Sequence, residues 1–204
     1  IKKAKKLLAV SKRLARAVDA TIVLAPPSPF LSALTAHNES KVSFAAQDIS
    51  HTTGGAKTGE ATAQAYAAAG ATYAIIGHSE RRALGDTEKI IAEKIEHALA
   101  HGLTPILCVG EHERDSDGRY LSFVREEITS ALGLLMPKER AKVIVAYEPL
   151  WAIGKTATEA IESADLAEMV LYIRKVLAEL LPGKSSRQSL VLYGGSVEAA
   201  NIRD

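Results

Sequence analysis

The sequence has little cysteine, no excess of charge of either sign and no long apolar segment, and each absence excludes a class of protein. A single cysteine, Cys108, allows no disulfide within the chain, which favours a reducing compartment such as the cytoplasm. No apolar stretch approaches the roughly 20 residues of a membrane-spanning helix. The net charge of +1, from 25 basic and 24 acidic residues, gives no electrostatic surface for nucleic acid or a membrane. We therefore expect a soluble, cytoplasmic protein that acts on a small molecule.

The length of 204 residues is enough for one sizeable core, so a single domain over residues 1–204 is favoured over two. The chain does not begin with methionine, and Ile1 falls within a helical pattern, which indicates a fragment. In that pattern an apolar stripe recurs at helical spacing and the basic residues fall on the other face, so a solvated helix is favoured over a targeting segment. The stripe consists of Leu7, Val10, Leu14 and Val18.

Short apolar runs of strand length alternate along the chain with amphipathic segments. The runs are Thr21–Ala25, Val42–Ala46, Thr72–Gly77, Pro105–Val109, Val143–Tyr147 and Leu190–Tyr193. The clearest helical stripes are Leu121, Val124, Ile128, Leu132 and Leu135, and then Leu166, Val170, Ile173, Leu177 and Leu180. Strands and helices that alternate without a hairpin signal predict a parallel sheet, in either a barrel or a doubly wound fold. Cys108 lies in one of the runs, so a buried small hydrophobic side chain is favoured over a nucleophile or a metal ligand.

The residues that follow the strands favour the barrel. Polar residues or glycines come directly after nearly every run, and active-site groups of a (β/α)8 barrel lie on the loops at the carboxyl ends of its strands. No G-x-G-x-x-G motif follows any run, so the dinucleotide-binding fold lacks its phosphate-binding sequence. Six strands are fewer than eight, and such barrels typically have about 250 residues. We therefore predict a (β/α)8 TIM barrel that is represented here without its first and last strands.

The segment after the fifth run carries the strongest catalytic signal. Glu148 comes directly after the buried strand Val143–Tyr147, and Pro149 ends the strand because it has no N–H to donate. A lone glutamate in this position is most often a solvated turn residue. The loop that follows contains Trp151 and Gly154, and a tryptophan in a loop favours a functional role for the segment.

Two further strand ends carry candidate site residues. His78 follows the third run and precedes a helix, and the positive end of the helix dipole favours a neutral imidazole that can donate one hydrogen bond. Gly194, Gly195 and Ser196 follow the sixth run and could cradle a phosphate, although a Gly-Gly turn alone is weak evidence. The remaining histidines are predicted to be satisfied by the backbone; they are His37, His51, His97, His101 and His112.

Five motifs occur together in the chain, in one order. They are Thr58-Gly59-Glu60, Gly77-His78-Ser79-Glu80-Arg81-Arg82, Cys108-Val109-Gly110-Glu111, the segment from Ala146 to Gly154 with the sequence AYEPLWAIG, and Tyr193-Gly194-Gly195-Ser196-Val197. In content, order and approximate spacing these motifs closely resemble the triosephosphate isomerase family. The resemblance spans essentially the whole chain, and the glutamate and histidine motifs are highly specific to that family.

The resemblance implies a reaction and a role for each motif. Glu148 would be the base that moves a proton between neighbouring carbons of dihydroxyacetone phosphate and glyceraldehyde 3-phosphate, and neutral His78 would polarise the carbonyl oxygen. Glu80 would contact the catalytic lysine of the family. The phosphate would bind Gly154, Ser196, Gly194 and Gly195. The lid would run from Pro149 to about Thr156 through Leu150, Trp151, Ala152, Ile153, Gly154 and Lys155, and neither a metal nor a cofactor would be needed.

The chain departs from the family at several positions. The family's first strand ends with an asparagine and a lysine that bind the substrate, whereas this chain begins after that strand and also stops before the last one. The family lid reads Gly-Thr-Gly-Lys, whereas Gly154 is followed directly by Lys155 here. We expect these two residues to be an omission from the sequence and not a real deletion, because a shorter lid could not reach the phosphate.

The resemblance also implies a homodimer through the loop of residues 47–60, in which Lys57 replaces the usual aromatic residue. The favoured function is that of an isomerase. The alternatives are a catalytically inactive, truncated remnant of the same barrel and a different phosphate-binding barrel enzyme.

Overall fold

The computed structural model describes residues 1–36, 38–152, 161–181, 189–195 and 197. The chain forms two compact units. The first unit contains residues 1–76 and 93–105, and the second contains residues 77–92 and 106–204. The predicted single domain stays a prediction.

The first unit is built on three strands that follow one another in the chain. Strand β1 (Val23–Leu24) pairs in parallel with β2 (Ser43–Ala46), which pairs in parallel with β3 (Tyr73–Ile76). The connecting helices are α1 (Lys2–Ala17), α2 (Leu31–Thr35), α3 (Ala63–Ala68) and most of α5 (Glu88–Ala100). This arrangement is the strand and helix alternation that the sequence predicts.

The second unit repeats the pattern. Strand β4 (Thr104–Val109) pairs in parallel with β5 (Ile144–Tyr147), and β5 pairs in parallel with β6 (Val191–Tyr193). The helices are α4 (Ser79–Ala83), α6 (Arg119–Leu132), α7 (Pro137–Arg140) and α8 (Ser163–Leu180), with the first turn of α5. Each of the six predicted apolar runs thus overlaps one strand.

The two longest helices of the second unit bury the predicted apolar stripes. Helices α6 and α8 pack against each other, and the side chains of Val124, Ile128 and Ile173 are fully buried. The stripe predictions for both helices are therefore confirmed in their central turns. Among the described residues, no helix is long and apolar enough to cross a membrane.

The stripe predicted for α1 is wrong. Leu7, Val10, Leu14 and Val18 are exposed, with Leu7 at 56%. Instead, Leu8 and Ala15 are buried, on a helix face about one residue further around, together with the small polar side chain of Ser11. Helix α1 contacts the short helix α2, which offers this face a surface to pack on. Helical spacing identified the helix, but two neighbouring faces of α1 both carry apolar residues and spacing alone does not choose between them.

Cys108 lies in β4 with 6% of its surface exposed, so its predicted burial is confirmed. Burial raises the pKa of the Cys108 thiol to about 12, and the nearby Glu148 carboxylate adds to the rise. A thiol in this setting is protonated near neutral pH.

We expect Cys108 to resist thiol reagents in the folded protein, because only the thiolate reacts at a useful rate. An aromatic disulfide reagent at pH 8 should label the thiol at a rate limited by unfolding. In denaturant the same reagent should label one thiol per chain within minutes. Equal labelling rates in both conditions would contradict the burial of this side chain.

We expect Leu177→Ala in α8 to lower the free energy of unfolding by about 2–5 kcal/mol, because it leaves a cavity in the core. Leu171→Ala in the same helix is the matched control and should change it by less than about 0.5 kcal/mol. Leu177 is 2% exposed and Leu171 is 66% exposed. Urea denaturation of both variants measures the difference, and equal losses would show that the helix face is assigned wrongly.

Candidate active site

The structure brings together two of the residues that the sequence singles out. His78 lies directly before α4, and Glu148 lies directly after β5. The His78 Nε2 atom is 3.2 Å from Glu148 Oε1. The histidine side chain is 35% exposed and the glutamate side chain 9%, so the carboxylate is largely withdrawn from water while the ring edge remains accessible.

The hydrogen bonds of His78 assign its tautomer. The ring is the N-cap of α4, and its Nδ1 atom accepts a hydrogen bond from the Glu80 backbone N–H at 3.3 Å. A ring nitrogen that accepts a hydrogen bond carries no proton, so Nε2 holds the proton of a neutral ring. This places an N–H on the nitrogen that lies 3.2 Å from Glu148 Oε1. A neutral imidazole with a donor at Nε2 is therefore the species that this local geometry favours.

The backbone of Glu148 is fixed by the neighbouring strand. Its N–H donates to the Val109 carbonyl at 2.8 Å, and its Oε2 accepts from the Ser79 N–H at 3.4 Å. Gly110 lies directly against the Glu148 backbone, where an added Cβ would come within 1.8 Å of the Glu148 carbonyl oxygen. No residue except glycine fits at position 110 without moving Glu148.

The glycines after β6 lie close to the same strand end. The Gly194 N–H donates to the Tyr147 carbonyl at 2.7 Å. A Cβ at Gly195 would lie 2.1 Å from the Tyr193 hydroxyl, so a larger residue would displace that ring. The glycine pair is thus held beside the residue that precedes Glu148.

Glu80 is largely exposed to solvent. Its side chain is 87% exposed, and its Oε2 atom is 4.0 Å from His78 Nδ1. A carboxylate so open to solvent contributes little to its neighbour by charge alone.

The lid prediction falls partly on described residues. Leu150–Ala152 form one turn of 3-10 helix directly after Pro149. The segment Ile153, Gly154, Lys155 and Thr156 lies outside the described residues, as do Ser196 and His37. The phosphate contacts predicted for Gly154 and Ser196 and the expected omission after Gly154 therefore stay predictions.

Glu111 has a structural role that the sequence did not assign. Its Oε1 atom accepts from the Tyr147 hydroxyl and from the Trp151 indole N–H, both at 2.8 Å. Burial raises the pKa of Tyr147, and the charge of Glu111 adds to the rise, so the hydroxyl remains a donor. The Leu150 N–H also donates to the Glu111 carbonyl, at 3.1 Å. The start of the predicted lid is therefore tied to the end of β4. The available signal was position, since Glu111 lies two residues after β4 and Glu148 directly after β5.

This arrangement suits proton transfer at a carbon next to a carbonyl group. A shielded carboxylate can take the proton, and a neutral N–H donor beside it can stabilise the charge that develops on oxygen. Within the described part of the chain, no group of three or more His, Cys, Asp or Glu side chains is placed to hold a metal ion.

Comparison with known proteins gives one consistent result. The triosephosphate isomerase family model matches residues 1–204. A triosephosphate isomerase of Porphyromonas gingivalis strain W83 is 38% identical over 193 residues, which cover 93% of this chain and 76% of that protein. One from Alcanivorax borkumensis is 44% identical over 186 residues, covering 89% and 73%, and one from Mycobacterium avium is 38% identical over 191 residues, covering 91% and 71%. The predicted fold class, a (β/α)8 barrel, and the family resemblance are both confirmed, and the chain belongs to the triosephosphate isomerase family.

Proposed function

We propose that this protein interconverts dihydroxyacetone phosphate and D-glyceraldehyde 3-phosphate, with Glu148 as the base and His78 as the electrophile. The observation that carries the proposal is the 3.2 Å contact between Glu148 Oε1 and His78 Nε2, together with the backbone N–H that His78 Nδ1 accepts. The name shared by the related proteins agrees with this assignment. An enzyme that interconverts these two triose phosphates would act in glycolysis and gluconeogenesis.

The proposed reaction moves one proton between two adjacent carbons. The Glu148 carboxylate removes a proton from the hydroxymethyl carbon of dihydroxyacetone phosphate, and the electrons of that C–H bond form the carbon–carbon double bond of an enediolate. The carbonyl oxygen gains the negative charge, and the Nε2–H of His78 stabilises it by a hydrogen bond. Glu148 then returns the proton to the neighbouring carbon, while His78 moves a proton between the two oxygens. The steps consume no oxidant and no co-reactant, so the proposal includes no metal and no cofactor.

The phosphate of the substrate would bind beside the same strand ends. Gly194 and Gly195 lie beside Tyr147 and are proposed to contribute to this site, with the Gly194 N–H now donating to the Tyr147 carbonyl. Ser196 and Gly154 are proposed to complete this site. The lid, beginning at Pro149, would close over it and exclude water, which prevents loss of phosphate from the enediolate. Glu80 is proposed to contact a lysine that the family carries on an upstream strand.

A homodimer is also part of the proposal. In the loop of residues 47–60, the Ser50 N–H donates to the Ala61 carbonyl at 2.9 Å, which closes the base of a projecting segment. Residues 53–60 are exposed. An exposed polar loop with a fixed base is suited to insertion into a groove of a second copy of the chain. We propose that both compact units belong to one barrel domain and that the protein is cytoplasmic, as its single cysteine suggests.

We expect Glu148→Gln in the complete protein to lower kcat by about 10²–10⁴-fold, because an amide cannot accept the proton. The change should affect KM far less. Glu126→Gln, which alters an exposed glutamate of α6, is the matched control and should retain the parent activity. A coupled assay of triose phosphate interconversion measures both variants. A kcat within threefold of the parent would exclude Glu148 as the base, and a loss confined to KM would make it a binding residue.

We expect the complete protein to be a dimer by light scattering at micromolar concentration. Lys57 places a charge where an aromatic side chain would pack, and charged residues are disfavoured in interface cores. Lys57→Phe should therefore lower the concentration at which the dimer dissociates. Lys41→Phe, at an exposed site outside the loop, should leave it unchanged. A monomeric parent protein would contradict the proposed assembly.

A further inference from the structure

A buried ion pair lies directly behind the candidate active site, between α4 and α6. The Arg82 side chain is 18% exposed, and the Glu127 side chain is 6% exposed. Arg82 Nη1 is 3.3 Å from Glu127 Oε1, and it also pairs with Glu88. Neither Arg82 nor Glu127 has a role in the reaction described above.

Arg82 binds the backbone on the histidine side of the site. Its Nε donates to the Gly77 carbonyl at 2.8 Å, one residue before His78. Its Nη2 donates to the Cys108 carbonyl in β4 at 3.3 Å. The rigid fork of the guanidinium therefore sets the distance between the segment that carries His78 and the strand beside Glu148.

Glu127 binds the backbone on the glutamate side. Its Oε2 accepts from the Gly110 N–H at 2.8 Å. Gly110 lies against the Glu148 backbone, where even a Cβ would lie 1.8 Å from the carbonyl oxygen. A shift of Gly110 would therefore be transmitted directly to Glu148, since closely packed backbone has no room to absorb it.

The space between the ion pair and the site leaves little room for a substrate. A cavity of about 10 Å³ is lined by Ser79, Arg82, Glu127 and Glu148 among others. A volume of this size holds at most about one water molecule. The direct contacts by which Arg82 and Glu127 reach the site are those with the backbone.

We propose that Glu127 and Arg82 are positioning residues that hold His78 and Glu148 at the separation needed for proton transfer. This inference rests on the proposed isomerase function. Displacement of a catalytic group by about 1 Å can cost about 10²-fold in rate, so a device that fixes two backbone segments has a measurable effect. Glu127 is retained as a hydrogen-bond acceptor despite its burial, which raises its pKa to about 7 and makes the ionised form costly. Arg82 offsets part of that cost.

The test compares three substitutions of glutamate in α6 of the complete protein. Glu127→Leu removes both the acceptor and the charge, and it should lower kcat by about 10–10²-fold with KM changed by less than about twofold. Glu127→Gln keeps an oxygen for the Gly110 N–H and should restore kcat to within about threefold of the parent. Glu126→Leu, at the adjacent exposed position, should behave as the parent.

A kcat of Glu127→Leu within threefold of the parent would overturn the proposal, as would a loss confined to KM or a failure of glutamine to restore activity. If Glu127→Leu does not fold, Arg82→Lys decides the question, because it keeps the charge and loses the fork. A kcat about tenfold lower with unchanged KM would support positioning, and an unchanged kcat would overturn it.

A structural measurement separates this inference from the proposed function. If the parent protein has no isomerase activity, the proposed function fails, and the positioning role is then judged by crystal structures alone. In Arg82→Lys or Glu127→Leu the distance between His78 Nε2 and Glu148 Oε1, 3.2 Å in the parent, should lengthen by about 0.5 Å or more. An unchanged distance would overturn the inference.

Discussion

The parallel pairing of β4 with β5 is the constraint on which the rest of the candidate active site depends. The register places Val109 opposite Tyr147, and the Glu148 N–H continues the ladder to the Val109 carbonyl. That single register puts Gly110 against Glu148 and brings Glu111 within reach of Tyr147 and Trp151. A slip by one residue would turn every one of these side chains to the opposite face of the sheet.

The two carboxylates after these strands have different surroundings and therefore different roles. Glu148 accepts a hydrogen bond from one backbone N–H and lies 3.2 Å from the His78 ring nitrogen, in contacts that a substrate could replace. Glu111 accepts from two side chains that are themselves packed in the protein. Glu148 can therefore exchange its partners for a substrate and act as a base. Glu111 instead anchors the loop that begins at Pro149. Two glutamates that follow neighbouring strands are thus distinguished by their hydrogen-bond donors.

In the second unit, the charged side chains of Arg82 and Glu127 form hydrogen bonds to backbone groups. Arg82 donates to two carbonyl oxygens and Glu127 accepts from one N–H, so each buried charge also satisfies part of the main chain. A buried ion pair alone contributes little to stability, because desolvation offsets the attraction between the charges. The contribution of this pair is to fix the positions of two backbone segments. The pair joins the loop before His78 to the strand end beside Glu148, and a pair of apolar side chains of equal volume would not make those hydrogen bonds.

Much of the site was predictable because strand ends are local features of sequence. The apolar runs predicted the six strands, and the residues that follow them included His78, Glu148 and the glycine pair. Arg82 was visible only as part of a motif, and Glu127 was visible only as a polar position of an amphipathic helix. Neither showed a signal, since their partners in Gly77, Cys108 and Gly110 are main-chain atoms, which every residue carries, and two of the three lie 17 or more residues away.

By itself, the sequence determined the order and type of the elements, because hydrophobic periodicity depends only on near neighbours. It also determined the family, because the motifs that carry the chemistry are contiguous. Only the tertiary structure decided which face of α1 is buried, which nitrogen of His78 accepts a backbone N–H and which groups hold Glu148 in place. Each of these depends on which surface or polar atom of a distant segment lies nearest. Such distances are set by packing between elements, and the hydrophobic periodicity of the sequence does not reveal them.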